Sequence, residues 1–158
     1  MVALLGALAL AAPAQAASGK FVKTTLVDDS LNPMELDVAE DGRVFYIERF
    51  GDLRVWDPGT EQVSTIGHIN VYTGQENGLM GLALAPDFSE SNQLYLAYSV
   101  PPLATLTQRV SRFTLTPQGE LDPSSEEIIY EWTHQRQHCC HSAGALEFGP
   151  DGARAARP

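Results

Sequence analysis

Three stretches of this chain are written to one pattern. "LDVAEDGRVFYIERFG" (Leu36–Gly51), "LALAPDFSESNQLYLAYS" (Leu82–Ser99) and "LEFGPDG" (Leu146–Gly152) each open on Leu and alternate into a strand. Each then reaches an Asp five residues on: Asp41, Asp87 and Asp151. In the first two a second strand of apolar and aromatic residues follows the turn, Val44-Phe45-Tyr46-Ile47 and then Leu94-Tyr95-Leu96. Each copy reads as a β-hairpin with an Asp-anchored turn. A lone hairpin cannot bury its apolar face, so a chain built from recurring hairpins must stack them. The turn aspartates lie 46 and 64 residues apart. The first interval fits one blade of a β-propeller, roughly 40–50 residues, and the second leaves room for an inserted loop. The rival architecture is a β-sandwich with similar turns.

The remainder of the chain agrees with an all-β fold. "LRVWD" and "RVSRFTL" are rich in β-branched and aromatic residues. Asp57-Pro58-Gly59, Pro101-Pro102 and Pro117-Gln118-Gly119 supply turn chemistry between them. No segment of ten or more residues after Ser18 keeps a helical period. The run Glu120–Glu131 carries five acidic residues and no base, which suits a solvated loop and edge strand.

The N-terminus reads as an export leader. An apolar run from Val2 to Ala12 precedes Pro13 and then Ala14-Gln15-Ala16, whose small residues fit a signal-peptidase pocket, so cleavage is expected after Ala16. The run is too short to span a bilayer, so no membrane span is expected and the protein is placed outside the cytoplasm, secreted or periplasmic. No Lys or Arg precedes the run, which departs from the usual leader. Twenty Asp and Glu against ten Lys and Arg give a net charge of −10. A polyphosphate backbone needs a basic face, so nucleic acid is excluded as a partner.

The chemistry gathers near the C-terminus, where His138, Cys139, Cys140 and His141 stand side by side. Adjacent residues project in diverging directions, and structural zinc sites space their ligands to let a turn fold round the ion, so no metal is expected here. In an exported chain Cys139 and Cys140 form either a strained vicinal disulfide or a pair of buried thiols.

The ordered set "ENGLMGLALAPDF…NQLYLAYS", "RVSRFTL" and "HSAGALEFGPDG" resembles the soluble glucose/sorbosone dehydrogenases. These are six-bladed β-propellers that oxidise sugars with pyrroloquinoline quinone and calcium. The likeness runs from Leu36, whose stretch is similar to the family's first blade, to Gly152. It implies that His141 is the general base, which takes the proton of the anomeric hydroxyl while hydride leaves for the quinone. Imidazole suits that task because it titrates near working pH. Ser142-Ala143-Gly144 beside it would let a flat ring approach the backbone.

Glu76 and Asn77 stand where the family carries polar residues facing the sugar; their other reading is a solvated turn from Gly74 to Gly78. The family often has Gln at the first of these positions and sometimes an acidic residue where Cys140 stands. Gly78 and Gly81 are expected to serve the backbone path.

The organisation expected is therefore a leader (1–16), about three blades of a propeller (17–152), and an aberrant tail (153–158) in which Ala-Arg-Ala-Ala-Arg-Pro replaces the second strand of the third hairpin. Calcium and quinone are implied by the family, but their binding residues belong largely to later blades. On this reading the chain is a truncated sugar dehydrogenase, catalytically dead in isolation, with a frameshift or gene-model error at or just after Gly152. The alternatives are a non-enzymatic propeller fragment binding a glycan or a protein, and a gene fragment without function.

Overall fold

A computed structural model describes residues 21–138, 141–142, 144–149 and 154–156. Two four-stranded antiparallel sheets account for most of the regular structure among them. The first runs in chain order through β1 (Pro33–Val38), β2 (Val44–Glu48), β3 (Asp52–Asp57) and β4 (Gln62–His68). The second repeats the layout with β5 (Leu79–Leu84), β6 (Gln93–Ser99), β7 (Thr107–Leu115) and β8 (Leu121–Thr133). A third hairpin starts with β9 (Leu146–Phe148).

Alternation decides which side chains meet between the sheets. Phe45, Ile47, Leu53 and Val55 come from one side, and Leu82, Leu84, Leu94, Leu96 and Phe113 from the other. Register aligns them in rows, with Phe45 opposite Val55 and Leu94 opposite Phe113. β5 is buried along its whole length. It has a sheet on each side, which is why "LMGLAL" is continuously apolar where other strands alternate.

The first strands of the three units gather along one line. Glu35 on β1 accepts the Leu82 amide at 2.9 Å and the Leu146 amide at 3.4 Å, and Asp37 accepts the Leu84 amide at 2.8 Å. Carboxylates therefore satisfy the edge amides of β5 that no strand pairs. Desolvation in this position raises the Glu35 pKa above its ordinary value, and the bonds from Leu82 and Leu146 only partly offset it. Sheets that share an inner edge and repeat a four-strand meander are propeller blades and not the two leaves of a sandwich.

Two turns differ from expectation. The Asp87 side chain makes no capping bond; a four-residue helix, α1 (Phe88–Ser91), carries the chain round, closed by Asn92 in the left-handed region. Phe88 turns inward from it and meets Phe45 edge-on at 5.2 Å. The third hairpin is not left half made, because β10 (Arg154–Ala156) pairs with β9, Arg154 opposite Phe148 and Ala156 opposite Leu146. The waiting edge of β9 overrides the weak strand propensity of Arg and Ala. The leader, Asp151 and both cysteines lie outside the described residues.

Candidate functional site

All the loops that could form a site leave from one end of the strands. These are the β2–β3 turn, the 69–78 link between the sheets, the 100–106 connection, and the described residues that follow β8 from His134. The segment from 73 to 77 has no regular structure, and Gln75 sits at φ 58. Arg49, at the end of β2, holds it. Its Nη1 donates to the carbonyls of Thr73 at 3.1 Å, Gln75 at 3.0 Å and Asn77 at 3.0 Å.

Glu76 and Asn77 part company here. Asn77 is 1% exposed and faces inward. Its amide nitrogen donates to the Gly74 carbonyl at 2.9 Å, and its oxygen accepts the Ser99 hydroxyl at 3.0 Å and the Gln108 amide at 3.1 Å. All three side chains of that group are fully buried, and each uses its partners to avoid an orphaned polar group. Asn77 thus anchors the loop from beneath, whereas Glu76 is exposed.

Glu76 reaches across to the third unit, where its carboxylate accepts the backbone N–H of His141, 65 residues away. His141 is exposed and has φ 77, a left-handed conformation uncommon outside glycine. Its neighbour Ser142 places Oγ 3.1 Å from His134 Nε2. Burial, and then the charge of Arg136, hold the His134 imidazole below its ordinary pKa, which favours the neutral ring. Arg136 is itself 4% exposed and spends its guanidinium on four carbonyls, those of Val100, Pro102, Leu103 and Thr107. It also lies 4.4 Å over the Tyr72 ring.

Glycine sets the height of the loop. A Cβ on Gly81 would stand 1.7 Å from the Gly144 carbonyl oxygen, and one on Gly144 would stand 2.6 Å from the Cβ of Met80. Gly144, three residues after His141, therefore serves close contact with β5. Gly81 is not among the positive-φ glycines; what it supplies is room for the Gly144 backbone.

His141 and Glu76 are brought together, and Asn77 supports them from the interior. Arg49, Ser99, Gln108, Arg136 and His134 complete the arrangement, and sequence reasoning had assigned none of them. Among the described residues no group of three His, Cys, Asp or Glu stands close enough to hold a metal ion. The described residues thus offer no carboxylate cluster of the kind that commonly holds calcium. What remains is an exposed imidazole on a loop fixed at its backbone nitrogen.

Comparison with known proteins places the chain in a family. Residues 31–154 match the glucose/sorbosone dehydrogenases. A Thermus thermophilus protein assigned as a glucose dehydrogenase is 32% identical, with a TM-score of 0.66 over 80% of this chain and 36% of its own. The PQQ-bound aldose sugar dehydrogenase of Streptomyces coelicolor is 21% identical and shares the fold, with a TM-score of 0.74 over 85% of this chain and 40% of its own. An uncharacterized protein of Synechocystis is 28% identical over 140 residues, 82% of this chain. The chain spans about a third of that curated relative's length (33%) and 36–40% of the two solved structures.

Proposed function

The chain belongs to the glucose/sorbosone dehydrogenase family, and on that premise we propose that it supplies the proton-accepting loop of a sugar-oxidising site. His141 is the base, taking the anomeric hydroxyl proton on its imidazole as the C–H bond of that carbon is oxidised. The observation that carries this reading is the Glu76–His141 bond, which ties the 73–77 loop to the third unit across 65 residues. A base must be held still to act on one hydroxyl among several, and fixing its backbone nitrogen achieves that. Glu76 is given a second part, with its other carboxylate oxygen orienting a sugar hydroxyl. Asn77 acts by keeping the loop in place. The electron acceptor and the rest of the pocket would come from the further length that the relatives possess.

The test grafts this chain in place of the matching part of the Thermus thermophilus relative and follows dye-linked aldose oxidation with quinone and calcium supplied. His141→Ala should lower kcat by about 10²–10⁴-fold, the range for a general base, and leave KM within a few-fold. Turnover that survives the substitution overturns the assignment. Sugar retention by the unsubstituted chain, with no turnover in the graft, would instead assign a binding module.

Export is proposed on the leader pattern. The mature protein should begin at Ala17, and secreted material with Met1 intact would refute it.

A further inference from the structure

We infer that Arg49 is a positioning residue for His141, acting through the Glu76 loop. The inference rests on the reading of His141 as the base, but the contacts behind it stand independently. Among the described residues Arg49 has no carboxylate partner, which is unusual for a guanidinium committed to three hydrogen bonds. The three carbonyls it gathers alternate along the loop, at 73, 75 and 77, and the last two flank Glu76 on either side. One nitrogen serves all three, which pulls the loop tight round a single point. The same residue is pinned at both of its own backbone groups. Its N–H donates to the Asn32 carbonyl at 3.0 Å, and its carbonyl accepts the Leu79 amide at 2.9 Å.

The guanidinium thus stands on a rigid strand end and passes that rigidity to a segment without regular structure. From there Glu76 passes it to His141. The chain of contact is strand, guanidinium, loop, carboxylate, imidazole loop. Without Arg49 the carbonyls of 73, 75 and 77 turn to water, and Glu76 gains the freedom of the loop that carries it. Lysine is the poorer anchor, because its ammonium rides on a flexible stem, whereas the planar guanidinium fixes where the donating nitrogen sits.

Amide hydrogen exchange on the whole chain reads this directly and needs no activity. Exchange at His141 should quicken by about tenfold in Glu76→Gln, the loss of roughly one charge-assisted hydrogen bond. Arg49→Met and Arg49→Lys should quicken it to a similar degree, while the Leu94 and Leu96 amides keep their protection. The double variant Arg49→Met/Glu76→Gln should add nothing beyond either single change. His141 exchange unchanged in both Arg49 variants, with Glu76→Gln still effective, overturns the inference. If Arg49→Met does not fold, Arg49→Lys retains charge and bulk and carries the same test. The two readings separate in the graft. Loss of kcat in Arg49→Lys with KM held supports both, and full activity in His141→Ala beside the predicted exchange result removes the base and leaves the positioning contact.

Discussion

The two ends of the strands are built by different means. At the end with the Asp41 and Asp57 turns and the Asp122 start of β8, the chain is held locally. Asp57 Oδ1 accepts the amides of Gly59 at 2.8 Å and Thr60 at 2.9 Å. Asp41 takes the Arg43 amide and guanidinium, and Asp122 takes the Ser124 amide and hydroxyl. At the opposite end the loops are held chiefly from afar. Arg49 reaches 24 to 28 residues, Arg136 reaches 29 to 36, and Glu76 reaches 65. Turns of the first kind can form in an isolated hairpin. Loops of the second kind take shape only once both sheets are docked, so the candidate site is the last part of the molecule to acquire its geometry. A loop ordered from a distance is also free to vary in its own sequence, which suits a surface that must choose a ligand.

The sharpest way to break this contrast is to cut the remote anchor. Asn77→Ala should cost about 2 kcal/mol, because the buried Ser99 hydroxyl and Gln108 amide lose their shared acceptor and keep only each other. Urea unfolding measures the loss, and His141 should lose exchange protection with it. A cost under about 1 kcal/mol would show that the site end is no more dependent on distant partners than the turn end.

A local anchor should behave otherwise. Asp57→Ala should cost about 1 kcal/mol and leave His141 exchange untouched, since its bonds go no further than Thr60. Transmission of that change to the His141 loop would erase the distinction between the ends.

Acid should loosen the two ends in different ranges, and this is the smallest effect. His134 has a folded pKa below its ordinary value because of burial and the Arg136 charge. Its contribution is present above the ordinary histidine value and is lost as pH falls through the depressed folded value. At the turn end, burial works to raise the Asp41 pKa, but the bonds and charge of Arg43 outweigh it and hold it low. Asp122 is lowered by its bonds from Ser124. Their contribution persists until pH falls below the ordinary aspartate range. Protection factors should therefore drop at Ser142 a few-fold in mild acid while Thr60 holds. His134→Gln should abolish the difference, and an unchanged profile in that variant would refute it.

This division also explains what could be read from the sequence. "QLYLAYS" coincides with β6, and "RVSRFTL" lies inside β7, because alternation and β-branched content are local signals. Asp41 and Asp57 were legible for the same reason. Asp87 was not, since Asp-Phe-Ser-Glu-Ser is too short to show a helical period and its helix is a single turn. Arg49, Gln108 and Arg136 left no trace, because their partners lie far along the chain, and for the two arginines they are backbone carbonyls, which any residue supplies. The one available hint is negative: among the described residues neither Arg49 nor Arg136 ion-pairs with an acid, unlike Arg109 and Arg112 on β7. Even the fate of Asn77 was undecidable, since a polar residue between a turn and Gly78 reads the same whether it faces water or the interior.

The contact between Gly81 and Gly144 works as a mechanical stop. With no side chain on either residue, the His141 loop descends until backbone meets backbone, and the depth at which it halts is set by van der Waals radii alone. Hydrogen bonds stretch and side chains change rotamer, but a stop of this kind has almost no play. One methyl group added at Gly81 would act as a shim, lifting the imidazole by about its own thickness and taking it out of reach of a hydroxyl it was set to meet.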